Sequence, residues 1–209
     1  MSEELHQPGA RSGDALVLTH GAGGNARAPL LVALGEAFAA RGLTVLRYDL
    51  PFRQASRAAP PRPSGAARDR EGLRAAVAAM RSRVGGRVFL GGQSYGGRQA
   101  SMLAASEAGL VDGLLLLSYP LHPPGRPSDL RTAHLPKLAA PILFAHGSRD
   151  PFGSLEEIEA ARTLIPSRTA LLAVTGAGHD LFRAPRRAGT DTAAEIVTAF
   201  LDLVGEGRR

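Results

Sequence analysis

The run Val88-Phe89-Leu90-Gly91-Gly92-Gln93-Ser94-Tyr95-Gly96-Gly97 begins as an uninterrupted apolar segment and leads into residues 97–108, where apolar residues recur at helical spacing. A chain that turns sharply from strand to helix lifts the serine between them clear of the sheet and holds it in a strained conformation. Positions two before and two after that serine must be small, because side chains there would meet the strand or the helix. Ser94 then stands at a helix N-terminus, where backbone N–H groups receive negative charge. The G-x-S-x-G spacing at Gly92, Ser94 and Gly96 is weak evidence by itself, since 25 of the 209 residues are glycine. Its context carries the weight: an apolar strand before it, a helix after it, and a position midway along the chain.

The pattern outside this run agrees. Segments 15–19, 43–48, 88–91, 113–118, 141–146 and 170–174 are near-continuous apolar runs of the kind that strands buried on both faces require. Between and beyond them, residues 29–40, 69–84, 97–108, 155–165 and 190–204 have helical spacing of apolar side chains. Strands alternating with helices predict an α/β fold: an open sheet of about six mostly parallel strands with helices on both faces. Residues 51–68 are a connection broken by proline, and 119–140 form a second irregular stretch. The expected organisation is a loosely ordered tail over 1–13, a single domain over 14–204, and a C-terminal tail over 205–209.

Three more clusters fall at strand ends. His20-Gly21-Ala22-Gly23-Gly24 follows the first strand, and a glycine-rich turn there lets a backbone N–H point where the N–H after Ser94 also points. The backbones of Ala22 and Tyr95 are therefore assigned to an oxyanion hole, with His20 bracing the loop. The run fits neither common phosphate-binding loop pattern. His146-Gly147-Ser148-Arg149-Asp150 ends the fifth strand, and a carboxylate there reaches the C-terminal edge of the sheet, where ligands of open α/β sheets bind. Asp150 capping the following helix is the alternative, although Ser154 is equally available for that role. Gly176-Ala177-Gly178-His179 follows the last strand, and its glycines give the histidine freedom to reach Ser94. Among six histidines, only His179 comes last in the chain order Ser, Asp, His; Asp180 is a rival acid whose side chain, next to His179 in sequence, is poorly directed toward its ring.

Composition narrows the function classes. The chain has no cysteine, so disulfides and thiolate chemistry are excluded. The formal net charge is +6, but the arginines are scattered along the sequence and do not form the gathered footprint that nucleic acid requires. No apolar run approaches the roughly 20 residues of a membrane span, and residues 1–14 lack a signal-peptide core, so a cytoplasmic protein without membrane partners is expected. Arg53, Arg57 and Arg62 in the 51–68 connection are read as a solvated loop, with selection of acidic acyl groups as the alternative.

With these residues in place, the chain resembles the α/β-hydrolase superfamily from about residue 14 to 204. More narrowly, it is similar to small dienelactone-hydrolase-like proteins, including the hydrolase-like domain of an NSL chromatin-complex subunit. Those proteins carry a G-G-x-S-x-G-G-R elbow, matched here through Arg98. The resemblance implies an α/β-hydrolase fold with a minimal cap, since 119–140 is too short for a large lid and the antiparallel hairpin that commonly opens the fold is not evident. It implies a serine hydrolase of small esters, thioesters or lactones, with Ser94 as nucleophile, Asp150 as acid and His179 as base. No metal or organic cofactor is called for, the partner is a small ester-type substrate, and a monomer or homodimer is expected. A non-catalytic scaffold serving as a binding module stays open as the other reading.

Overall fold

A computed structural model describes residues 3–10, 12–181 and 189–205. Seven strands form one sheet: β1 (Glu3–His6), β2 (Ala15–Thr19), β3 (Thr44–Tyr48), β4 (Val88–Gln93), β5 (Leu114–Leu117), β6 (Ile142–Gly147) and β7 (Thr169–Val174). The spatial order is β1-β3-β2-β4-β5-β6-β7, with every pair parallel except β1 with β3. Helices are α1 (Pro29–Ala40), α2 (Pro51–Ala55), α3 (Ala66–Arg81), α4 (Tyr95–Ser106), α5 (Leu155–Arg162) and α6 (Gly189–Gly205).

Alternation along each strand sends side chains to opposite faces. Val17, Leu46, Leu90, Leu116 and Phe144 pack with Leu73 and Val77 of α3, Leu103 of α4 and Ile158 of α5. Their strand neighbours Leu16, Leu18, Val45, Phe89, Leu115 and Leu143 pack on the other face with Leu31 and Phe38 of α1 and Ile196 and Phe200 of α6. There the Phe200 ring meets Phe38 and Phe89 edge-on, at centroid distances of 5.8 and 5.2 Å, favourable geometry for aromatic quadrupoles. The expected sheet with helices on both faces is the one observed.

Two expectations need correction. Residues 3–6 are not a loose tail but an edge strand, which raises the count from about six strands to seven and supplies an antiparallel opening strand. Glu-Glu-Leu-His has a single apolar residue, half-exposed Leu5, so no burial pattern announces it. What holds the strand is its ladder to β3 and polar contacts: Arg47 donates to His6 Nε2 at 2.7 Å, and Arg27 donates to Glu4 Oε1 at 3.0 Å. Second, the proline-broken 51–68 connection contains α2, begun by Pro51 at a position where a missing N–H costs nothing. At the other end, Gly205 closes α6 and residues 206–209 lie outside the described residues.

The 119–140 connection is irregular but anchored. Tyr119, Leu121, Leu135 and Leu138 are buried, and the Tyr119 hydroxyl donates to the Arg131 carbonyl at 2.8 Å. His134 Nε2 lies 2.8 Å from Ser101 Oγ on α4. Burial, reinforced by nearby Arg98, lowers the His134 pKa from 6.5 to about 4. Between these two values the unfolded chain binds a proton that the folded chain refuses, so stability is lost as pH falls from 6.5 toward 4. Thermal melts are expected to show this loss in the wild type and less of it in His134→Gln; superimposable pH profiles would contradict the assignment.

Candidate active site

The site is assembled at the C-terminal ends of β2, β4, β6 and β7. Ser94 sits between β4 and α4 with φ 50° and ψ −116°, a backbone region that L-residues rarely adopt. Its N–H donates to the Leu117 carbonyl at 2.8 Å, which ties the turn to β5. The glycine spacing has a steric cause here. A Cβ on Gly92 would lie 2.6 Å from the Gly97 nitrogen, and one on Gly96 would lie 2.4 Å from the His20 carbonyl oxygen. The elbow and the His20 loop are therefore in backbone contact.

Three of the sequence-predicted side chains form one hydrogen-bonded row. His179 Nε2 lies 2.8 Å from Ser94 Oγ, and His179 Nδ1 lies 2.8 Å from Asp150 Oδ2. An ionised carboxylate only accepts, so Nδ1 carries the proton and Nε2 is left to accept from the serine. The Asp150 side chain is fully buried, and its Oδ1 accepts the Phe152 N–H at 2.9 Å. The helix-cap alternative for Asp150 falls away, because α5 is capped by Ser154 in a reciprocal box with Glu157.

The His179 loop is pinned to the end of β6. Arg149 N–H donates to the Ala177 carbonyl at 2.9 Å, and a Cβ on Gly147 would lie 2.4 Å from the Gly178 carbonyl oxygen. Phe152 stacks on the His179 ring with centroids 4.2 Å apart. Gln93 Nε2 reaches the His179 carbonyl at 3.3 Å. Beneath them, His146 Nε2 donates to the Gly153 carbonyl at 2.8 Å and stands 3.7 Å from Asp150 Oδ2. Burial lowers the pKa of His146, consistent with a neutral ring below the carboxylate.

Ala22 and Tyr95 line the same cleft as Ser94. Tyr95 is the first residue of α4, so its N–H has no intrahelical partner. Its hydroxyl donates to buried Asp69 at 2.7 Å, and burial raises the phenol pKa well above its ordinary value, keeping it a neutral donor. His20 is fully buried. Its Nε2 accepts the Leu50 N–H at 3.1 Å, so Nδ1 holds the proton and donates to the Gly21 carbonyl at 2.8 Å. Among the described residues, no group of three or more His, Asp and Glu is placed to hold a metal ion, and no helix is long and apolar enough to cross a membrane.

Sequence reasoning missed two residues. Phe152 carried no signal beyond lying two positions after Asp150. Arg53, expected in a solvated loop, is buried at 7% exposure. It donates to the Ala22 and Gly24 carbonyls at 2.8 Å each and to those of Ser56 and Arg57, while its guanidinium lies over the Phe52 ring. It clamps the glycine loop from behind. Arg53→Met keeps the stem and orphans these carbonyls; a stability loss of about 2–4 kcal/mol in chemical denaturation is expected. An unchanged denaturation midpoint would rule the clamp out.

A family model described as an alpha/beta hydrolase domain matches residues 12–205. Solved structures give the same architecture. A dienelactone hydrolase from Anabaena variabilis is 21% identical with a TM-score of 0.73, covering 96% of this chain and 90% of that one. An α/β serine hydrolase without a lid from Xanthomonas campestris is 17% identical with a TM-score of 0.71, covering 98% and 88%. An α/β serine hydrolase homologue from Coxiella burnetii is 18% identical with a TM-score of 0.68, covering 99% and 91%. At such identities the likeness is one of fold.

Proposed function

The chain belongs to the alpha/beta hydrolase domain family, and from that premise we propose that it is a serine hydrolase of small esters, thioesters or lactones working through an acyl-enzyme. The observation that carries this reading is the unbroken row Ser94 Oγ, His179, Asp150, with both contacts at 2.8 Å, on a strained strand-to-helix turn.

Ser94 Oγ attacks the substrate carbonyl while His179 Nε2 takes its proton. Asp150 keeps Nδ1 protonated and stabilises the imidazolium that forms. The carbonyl oxygen becomes an oxyanion that the N–H groups of Ala22 and Tyr95 receive, a role supported by both residues lining the cleft beside Ser94. His179 returns its proton to the departing alcohol or thiol, leaving the acyl group on Ser94. A water then gives a proton to Nε2 as it attacks the ester, and collapse releases the acid and restores the serine hydroxyl.

A fluorophosphonate probe tests the reading. Covalent labelling of the folded protein, together with turnover on a panel of p-nitrophenyl esters and thioesters, is the expected outcome. A folded protein that neither labels nor turns over would overturn it in favour of a binding scaffold.

A further inference from the structure

The cleft beside Ser94 encloses about 360 Å³, and its wall includes Arg62, Arg98 and Arg131 but no Asp or Glu. Several arginines elsewhere in the protein have a carboxylate partner. Arg47 pairs with Glu4, Arg74 with Glu71 and Glu107, Arg87 with Asp14, and Arg162 with Glu159. Arg98, one turn into α4 from the elbow, has a buried Nε with no partner among the described residues. The Arg131 guanidinium donates to the Pro120 carbonyl at 3.2 Å and has no carboxylate within salt-bridge distance among the described residues. Burial and the neighbouring Arg98 lower the Arg131 pKa more than nearby Asp129 raises it, so two cations share this wall with little compensating negative charge.

Gln99 adds an independent sign. It lines the cleft and is fully buried; its carbonyl accepts from Arg70 at 2.8 Å, yet its amide nitrogen is buried without a partner. Buried donors are nearly always satisfied, and exceptions call for a missing acceptor. Guanidinium groups with donors left over and a free amide N–H₂ present donors only, the complement of a carboxylate or phosphate.

We infer that the cleft is a binding site for an anionic oxygen group on the substrate, a carboxylate or a phosphate, held by Arg98 and Arg131 beside the Gln99 amide, with exposed Arg62 adding field. The identification of the anion as part of a substrate rests on Ser94 acting as nucleophile; the anion site itself does not.

The test has two arms. In the first, kcat/KM is measured for p-nitrophenyl butyrate, its analogue ending in a carboxylate, and one ending in a phosphonate. The wild type is expected to favour one charged ester, which distinguishes carboxylate from phosphate. Arg98→Met and Arg131→Met should each lower the charged-to-neutral ratio by about tenfold, mainly through KM, as expected when a charge-assisted hydrogen bond is lost. In the second, Ser94→Ala is titrated calorimetrically with succinate and with inorganic phosphate at low salt. Binding that weakens when Arg98→Met is added supports the site even without turnover on any ester, a result that would fail the hydrolase reading alone. Neutral-ester turnover with no charge preference, or no binding of either anion to Ser94→Ala, would overturn the anion site and leave the hydrolase reading standing.

Discussion

Ser94→Ala is expected to abolish fluorophosphonate labelling and to lower ester turnover by roughly 10^4- to 10^6-fold. The substitution removes one oxygen and little else. The elbow is held by the Ser94 N–H to Leu117 carbonyl bond and by the glycine contacts, none of which involves the hydroxyl. Stability should therefore change by less than about 1 kcal/mol, which separates chemistry from folding. His179→Ala should cost a similar factor, because Nε2 is the basic nitrogen within hydrogen-bonding distance of the hydroxyl. The double variant should be scarcely worse than either single one, since residues acting as a unit are far from additive. Turnover falling only a few-fold in the single variants, or losses that multiply in the double, would contradict a nucleophile and base working together.

Asp150→Asn is expected to lower turnover by about 10^4-fold while leaving the fold in place. The amide is nearly the same size as the carboxylate, and the Asp150 side chain sits fully buried between the Phe152 N–H and the His179 ring. An amide that turns its N–H₂ toward Nδ1 makes that nitrogen an acceptor and moves the ring proton to Nε2. The histidine then cannot accept from Ser94. Ring position and ring tautomer are separable here, because an asparagine oxygen can still accept the Phe152 N–H and leave Phe152 stacked on the His179 ring, as it is at 4.2 Å in the wild type. Steady-state kinetics on one good ester, with nitrogen-15 shifts of the imidazole, check both halves. Wild-type turnover with the proton still on Nδ1 would assign Asp150 a purely structural role.

Much of this architecture was legible in the one-dimensional pattern. The inner parallel strands announce themselves because they are buried on both faces and so are largely apolar, and β7 keeps an apolar run although it is an edge strand and only partly buried. The elbow is legible because close backbone approaches at Gly92, Gly96 and Gly97 exclude side chains, which leaves glycines at fixed spacing; the glycines of the His20 and His179 loops meet no such crowding, and there Gly176 is called for by its positive φ instead. β1 was not legible, since an edge strand held by Arg27 and Arg47 needs no apolar pattern. Arg53 was misread for a different reason. An arginine that satisfies backbone carbonyls far away in sequence looks, in one dimension, like any surface charge. The same blindness hid the wall formed by Arg98 and Arg131, 33 positions apart and joined only by the course of the 119–140 connection.

The order in which the row is strung along the chain bears on how the protein comes into being. Ser94 and His179 are separated by 85 positions, and His179 follows directly on β7, the last strand added to the sheet. A chain emerging from the ribosome has its serine elbow, glycine loop and six of its strands before β7 has been synthesised. Through that interval Ser94 has no imidazole beside it, and Asp150 has nothing to orient. Domains built N-terminus first pass through such incomplete sheets routinely. On the proposed reading, the hydroxyl gains its base only when β7 pairs with β6 and the His179 loop is pinned to the end of β6, so completion of the fold would itself be the activating event.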